Sequence, residues 1–497
     1  MFRATKAAVL AAVAACATFA SPLSKTALLD DCLSAAEVPI DAPGSPDWLL
    51  DSTTFNLRLN YTPAAIATPT TIPQIQAAVS CAAGAGLKAN AKSGGHSYAS
   101  FGTGGEDGHL VIQLDRMNDV SLDAGTGIAT VQGGARLGRI ANELYKQGRR
   151  AVSHGTCPGV GVGGHALHGG YGMSSHAKGL MLDWLVGATV VLANSSVVEC
   201  SADENPDLFW AVRGAGSSMG VVAEMRFDTF VAPDEVTYFV AQVPWKNTTA
   251  VDGFRALQEF AAEQMPSELN MRLFITRQFA NLEGMYWGNK TALQQTLAPL
   301  VTATGARLQY SQTDDWLGQL THFGNGLNLD QSRPYKMAET FYSSSLYTHA
   351  LDPTQIQAFV DYWFNKGKTT RRDWYVQVDL HGGKNSAVSK PGADSAAYAH
   401  RDHLLLFLFY DRVDAKGVYP SDGFAFIDEF AGGLTKTLGV DDGETWGRYP
   451  NYPDSRLSPE SAQRGYWGGH LQRLREIKTA VDPGDIFRYP QGVRPLV

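Results

Sequence analysis

The chain has 497 residues, with 41 Lys and Arg set against 49 Asp and Glu, for a formal net charge of -8. That acidic balance argues against nucleic acid or an anionic membrane as a partner. The length allows two or three domains, each with its own core, and no internal repeat, long charge run or low-complexity linker interrupts the chain.

Residues 1–20 read as a signal peptide: Arg3 and Lys6 precede an apolar run over 7–15, and Thr18-Phe19-Ala20 offers a cleavage site. The run is too short to span a bilayer, and no later stretch reaches the ~18 apolar residues that a span needs. A secreted, soluble monomer is expected. Sequons at Asn60, Asn194, Asn247 and Asn289 agree with that route and predict glycosylation at some of them. Of the five cysteines, Cys16 leaves with the leader. Cys32, Cys81, Cys157 and Cys200 then allow three complete pairings, an ordinary Cys157–Cys200 bridge among them.

From Leu57 to about Ala232, helical and strand patterns alternate. Thr71-Ile72-Pro73 opens a helix that runs through Cys81 and ends at Gly84 and Gly86. Short strands are predicted at 88–91, 109–114, 128–132, 188–192 and 221–227, with an amphipathic helix at 137–147. The long hydrophobic βαβ unit of a nicotinamide domain is missing. After about Asp234 the texture changes. Strands of antiparallel type (237–243, 271–278, 282–287, 374–381, 404–410) alternate with helices at 250–264, 292–303, 353–365 and 423–438. The 404–409 stretch is wholly apolar and predicts a central, buried strand. A last helix, 470–481, stops at Asp482-Pro483-Gly484.

Two glycine-dense turns carry a nucleophile each: Ser93-Gly94-Gly95-His96-Ser97, and the run from Gly155 through Cys157 to His165. Glycines at this density let backbone N–H groups approach a ligand and form a concavity for anions. His154, His165, His168 and His176 crowd the same region, but their spacing fits no standard ligand set and reads as structural. In the 374–381 strand, period two places Tyr375, Gln377, Asp379 and His381 on one face, which should line a polar cleft. In Arg448-Tyr449-Pro450-Asn451-Tyr452-Pro453-Asp454 two prolines stiffen a turn that carries two tyrosines.

The His96 and Cys157 loops, with Tyr98, resemble the secreted oligosaccharide oxidases of the berberine-bridge-enzyme group within the vanillyl-alcohol-oxidase flavoprotein superfamily. The likeness resumes in Gly465-Tyr466-Trp467-Gly468, Leu474-Arg475-Glu476-Ile477-Lys478, and Asp482-Pro483 through Gln491-Gly492-Val493. It is similar above all to the fungal gluco-, chito- and xylo-oligosaccharide oxidases.

The resemblance implies an α+β fold. A two-part FAD-binding domain (21–233 and 455–497) would flank a substrate domain (234–454) with a large antiparallel sheet backed by helices. It implies FAD held by an 8α-histidyl bond to His96 and a 6-S-cysteinyl bond to Cys157. Cys32–Cys81 would then be a disulfide and Cys200 a buried free thiol. Ser93, Gly94, Gly95 and Ser97 would meet the pyrophosphate. Gly161 and Gly164 would face the isoalloxazine, with His165, Gly172 and Gln491 in support.

Tyr452 would be the base, with Asp379 accepting its proton, and Tyr98, Tyr375, Gln377 and Tyr449 would contact the sugar. The C1 hydroxyl of a reducing-end sugar becomes a lactone as hydride moves to flavin. Val160, small and three past Cys157, goes with molecular oxygen as acceptor and hydrogen peroxide as product. The absence of a polar residue in 404–409 leaves room for xylo-oligomers. The rivals are a relative oxidising an alkaloid or other secondary metabolite, a sugar dehydrogenase that does not use oxygen, and a secreted carbohydrate-binding glycoprotein without chemistry.

Overall fold

The structure, a computed structural model, describes residues 24–333 and 335–496. The expected signal peptide lies outside the described residues. Among the described residues, no helix is long and apolar enough to cross a membrane. The four sequon asparagines are all exposed.

The N-terminal part holds three small sheets, one of them only the pair Arg150–Ala151 and Phe230–Val231. In the first, Ala65–Ala67 and Ala89–Lys92 both run parallel to Leu110–Gln113 between them. A parallel pair needs a crossover, and the helix Ile72–Gly84 supplies it. Its start is set by Thr71, whose hydroxyl accepts from the Gln74 amide, and by Pro73, which loses no bond in the first turn. Cys81 of this helix is joined to Cys32 of the helix Lys25–Ala35 by a disulfide. Cys157 and Cys200 are unbridged, and Cys200 is buried, so no Cys157–Cys200 bridge exists. The second sheet has five strands, with Val221–Phe227 at its centre.

The large sheet has eight antiparallel strands in the order Arg307–Asp314, Val236–Gln242, Ala280–Tyr286, Leu269–Thr276, Asp373–Leu380, Leu405–Val413, Thr340–Thr348, Trp446–Gly447. Residues two apart share a face, so Trp374, Val376, Val378 and Leu380 all point into one core. There they meet Leu405, Phe407 and Phe409 from the next strand. They also meet Phe254, Phe359 and Phe430, which come from the helices Asn247–Glu259, Pro353–Tyr362 and Ser421–Leu438. The apolar 404–409 run is thus an interior strand, as its composition dictates.

Several features depart from the expectations, among them the edge strand Arg307–Asp314, where none was predicted. The strand Thr340–Thr348, with sequence TFYSSSLYT, is buried along its whole length although three serines read as turn composition. His381 does not join its three neighbours in the cleft. The strand ends at Leu380, and the His381 ring is fully buried, bonded to the Tyr398 hydroxyl at 2.9 Å and facing the His403 carbonyl at 3.1 Å.

Candidate active site

The face of the large sheet turned away from its helices forms one wall of a cavity of about 610 Å³, and the two glycine loops form the other. The His96 loop leaves the strand Ala89–Lys92. It then touches the Cys157 loop backbone to backbone. A Cβ on Gly94 would sit 2.3 Å from the Gly161 nitrogen, and one on Gly161 would sit 2.0 Å from the Gly94 nitrogen. Only glycine at both positions permits this approach. Gly95 has φ +68°, the left-handed region, which turns His96 inward.

Side chains then lock the two loops together. Buried Arg136 donates from Nη1 to the carbonyls of Gly94 (2.7 Å) and Gly159 (2.6 Å). The Ser93 hydroxyl donates to the Gly133 carbonyl at 2.6 Å and accepts from the Gly163 amide at 3.2 Å. The Ser97 hydroxyl accepts from the Phe101 amide at 3.1 Å and closes its own turn. As a result His96 Nε2 stands 3.6 Å from Cys157 Sγ, and Phe55 stacks on the His96 ring at 3.7 Å.

Burial lowers the His96 pKa to about 3, so its imidazole is neutral and keeps a lone pair to bond with. Burial also raises the Cys157 thiol above its ordinary value, so attack through sulfur requires that a proton be taken from it. These are groups suited to tethering one flat ring at adjacent positions. The cradle fits such a ring: a Cβ on Gly164 would meet nothing within 4 Å, so that residue opens on the cavity.

The supporting residues are less directly placed. His165 lines the cavity, and its Nε2 accepts from the Gly155 amide at 2.9 Å. Gly172 is packed so tightly that a Cβ would lie 1.9 Å from the His154 carbonyl oxygen. Gln491 does not line the cavity. Its amide donates to the Asp454 carbonyl and accepts from the Tyr466 hydroxyl, both at 2.7 Å, and Tyr466 is the residue that reaches the wall. Of the neighbouring histidines, His154 Nδ1 faces the Gly155 carbonyl and His168 Nδ1 the Gly164 carbonyl, whereas the buried His176 ring bonds none of the described residues.

On the sheet wall, register assembles the polar groups. Arg272 lies opposite Asp379 on one side and opposite Glu283 on the other, and its Nε bonds Glu283 Oε1 at 2.5 Å. Phe274 lies opposite Gln377, and Tyr375 opposite Tyr410. Gln377 Nε2 donates to Asp379 Oδ2 at 2.7 Å. Burial raises the Asp379 pKa to about 6, against the opposing pull of Arg272 and the Gln377 bond. Asp379 therefore changes charge near neutrality.

The turn with the two tyrosines is held on this wall by a serine of the unexpected strand. The Ser345 hydroxyl donates to the Tyr452 carbonyl at 3.0 Å and accepts from the Tyr449 amide at 3.1 Å. The Tyr449 hydroxyl is already engaged, accepting from the amides of Gly170 (3.0 Å) and Tyr171 (3.1 Å) and from Asn451 Nδ2 (3.1 Å). Tyr449 thus clamps the Gly169–Gly172 turn. The Tyr452 hydroxyl bonds none of the described residues. Burial first, and then the charge of Asp379, push its pKa well above the ordinary value. Tyr98 stacks on Tyr452 with ring centres 5.8 Å apart.

Sequence reasoning missed Arg272, Glu283, Phe55, Tyr335 and Tyr410, all of which line the cavity. Alternation could have flagged Arg272 and Glu283, since Arg272 falls between the core residues Met271 and Leu273 and Glu283 follows the core residue Leu282. Nothing in the sequence places Phe55 on His96, or Tyr335 with its hydroxyl 4.0 Å from Cys157 Sγ.

Known proteins resemble this chain along nearly its whole length. Residues 63–201 match the FAD binding domain family model and residues 448–494 the berberine and berberine like model. A xylooligosaccharide oxidase of Thermothelomyces thermophilus is 50% identical over 98% of both chains. A chitooligosaccharide oxidase of Gibberella zeae is 48% identical over 96% of both. The solved glucooligosaccharide oxidase from Acremonium strictum, described with a 6-S-cysteinyl, 8α-N1-histidyl FAD, superposes with a TM-score of 0.91. It is 45% identical, over 94% of this chain and 99% of that one. The chain belongs to the FAD-linked oligosaccharide oxidases of the berberine-bridge-enzyme-like family.

Proposed function

We propose that this protein oxidises the reducing-end C1 hydroxyl of an oligosaccharide to the lactone, with covalently held FAD and with molecular oxygen reduced to hydrogen peroxide. The balance is simple: the sugar gives up two hydrogens, and oxygen receives them. FAD, when bound, supplies the hydride acceptor. His96 and Cys157 would tether it, and the amides of Ser93, Gly94, Gly95 and Ser97 would meet its phosphates. Residues 21–233 and 455–497 form the cofactor part and residues 234–454 the sugar part, a division supported by the sheet membership of the strands.

Tyr452 is the base. Its free hydroxyl takes the C1 hydroxyl proton while its own proton moves towards Asp379, which must be ionised to receive it. No hydrogen bond joins Tyr452 to Asp379, so the transfer runs through an intervening hydroxyl or water. Tyr98, Tyr375 and Gln377 stack on and bond to the sugar. Tyr449 contributes by holding the turn rather than by a free hydroxyl.

One observation carries this reading: two nucleophiles 3.6 Å apart face, across one cavity, an unpartnered tyrosine beside a carboxylate of raised pKa. The small Val160 on the cavity wall supports oxygen as acceptor, and the four exposed sequons support export. The test is purification followed by acid precipitation and washing. The pellet should stay yellow for the parent, for His96→Ala and for Cys157→Ala, and lose most of its colour only in the double variant. Turnover of benzylisoquinolines but not of oligosaccharides would refute the sugar assignment. Aerobic turnover of sugar without peroxide would refute oxygen as acceptor.

A further inference from the structure

Outside the cavity, one cluster has chemistry that the reaction does not use. It sits where two strands of the large sheet meet: Thr340–Thr348 ends just before His349, and Asp402 and His403 precede Leu405–Val413. Strand pairing makes them neighbours, since Thr348 lies opposite Leu405 and the Leu404 amide donates to the Thr348 carbonyl at 2.9 Å. The imidazoles of His349 and His403 stack with ring centres 4.5 Å apart.

Their ligand atoms, with one from Asp402, all lie within 4.8 Å of one another. Bonds of roughly 2.1 Å to a zinc-type ion put two ligand atoms at most about 4.2 Å apart. His349 and Asp402 are exposed, so the His349 ring is free to turn out of its stack on His403 and bring its lone pair to an ion that lies in the plane of the His403 ring.

The second observation is independent of that spacing. His403 is 1% exposed, yet neither of its ring nitrogens has a hydrogen-bond partner. Its Nδ1 lies 3.1 Å from Asp402 Oδ1, a close approach without the alignment of a hydrogen bond. Buried polar atoms are almost always paired, and a cation shared with the neighbouring carboxylate would supply the partner that the His403 ring lacks among the described residues.

From this geometry we propose that His349, Asp402 and His403 form a binding site for a divalent transition cation of the zinc class. Two imidazoles and one carboxylate suit that class and not calcium or magnesium, which take oxygen ligands; water completes the shell. The ion joins the ends of two strands. The Glu444 carbonyl, 3.3 Å from His349 Nε2, brings the segment entering Trp446–Gly447 beside the site. The turn with Tyr449 and Tyr452 follows directly. The ion's role is to fasten that end of the sheet, and the site stands whether or not the sugar reading does.

The test uses the untagged, flavin-loaded full chain, stripped with EDTA and dialysed against zinc chloride, with bound metal measured by mass spectrometry and thermal midpoints recorded in parallel. The parent should bind a single ion and melt higher with zinc. His349→Asn and Asp402→Asn, both at exposed positions, should each weaken uptake at least about tenfold, no less than the loss of an outer-shell partner, and lose the zinc-dependent rise in midpoint. The pair of half-buried His470 and exposed Asp394, 3.3 Å apart, is the control, and Asp394→Asn should bind as the parent does. Equal uptake by the parent and His349→Asn, or no uptake by the parent, overturns the proposal.

Discussion

Replacement of Asp379 by Asn removes a charge that the fold holds at a cost and that the proposed reaction needs. The carboxylate is 2% exposed, and its pKa rises from 3.8 to about 6. A rise of roughly two units at about 1.4 kcal/mol each is about 3 kcal/mol. Because the folded value lies above the unfolded one, the protonated form favours folding. That contribution is complete below about pH 4, is lost as the pH climbs through about 6, and is absent above. Asn does not titrate. Thermal midpoints of the flavin-loaded parent and Asp379→Asn should therefore differ little near pH 4, and the variant should gain on the parent up to neutrality, by a few degrees. Turnover should fall by about 10²–10⁴-fold, the range for a general acid–base group, and the acidic limb of the parent's activity, centred near pH 6, should vanish. Parallel midpoint curves across this range would refute the assignment of a raised pKa. An unchanged acidic limb would show that another group titrates.

Tyr452→Phe should cost turnover by about 10²–10⁴-fold as well, yet leave the attached flavin and the melting midpoint unchanged, because its hydroxyl bonds none of the described residues. Absorbance of the denatured protein and steady-state kinetics check both halves. Ser345→Ala deletes the hydroxyl that joins the Tyr449 amide to the Tyr452 carbonyl, and should cost about 1–3 kcal/mol in denaturant unfolding, with a fall in kcat. Gly161→Ala places a methyl 2.0 Å from the Gly94 nitrogen and should part the two loops. Flavin left on the acid-precipitated variant should be held by one bond at most, which peptide mass spectrometry reads directly.

What was legible follows from how local each signal is. The 404–409 run needs only its own composition to be an interior strand, and Thr71-Ile72-Pro73 carries its cap and its first-turn proline within three residues. The two glycine loops announce a ligand because glycine at that density has few other uses. The strand Thr340–Thr348 was invisible for the converse reason. Ser343, Ser344 and Ser345 have the composition of a turn, and only burial between neighbouring strands, where Ser344 accepts from Arg448 and Ser345 holds the tyrosine turn, gives them a reason to be extended. His381 shows the limit of periodicity. Period two assigns a face correctly but not the point at which the face leaves the cavity. Alternation within each strand marks Arg272 and Glu283 as facing away from the core, but their meeting with each other and with Asp379 depends on register, which a single strand's sequence does not encode.

Anaerobic mixing of the purified, flavin-loaded protein with defined xylo-, chito-, cello- and malto-oligosaccharides tests the central claim most directly. The account predicts that at least one series bleaches the visible flavin absorbance, that admitting oxygen restores it with one peroxide formed per sugar, and that the sugar is recovered as its lactone or aldonic acid. A flavin that stays oxidised with every sugar, or a bleached flavin whose sugar is oxidised anywhere other than C1, would contradict it.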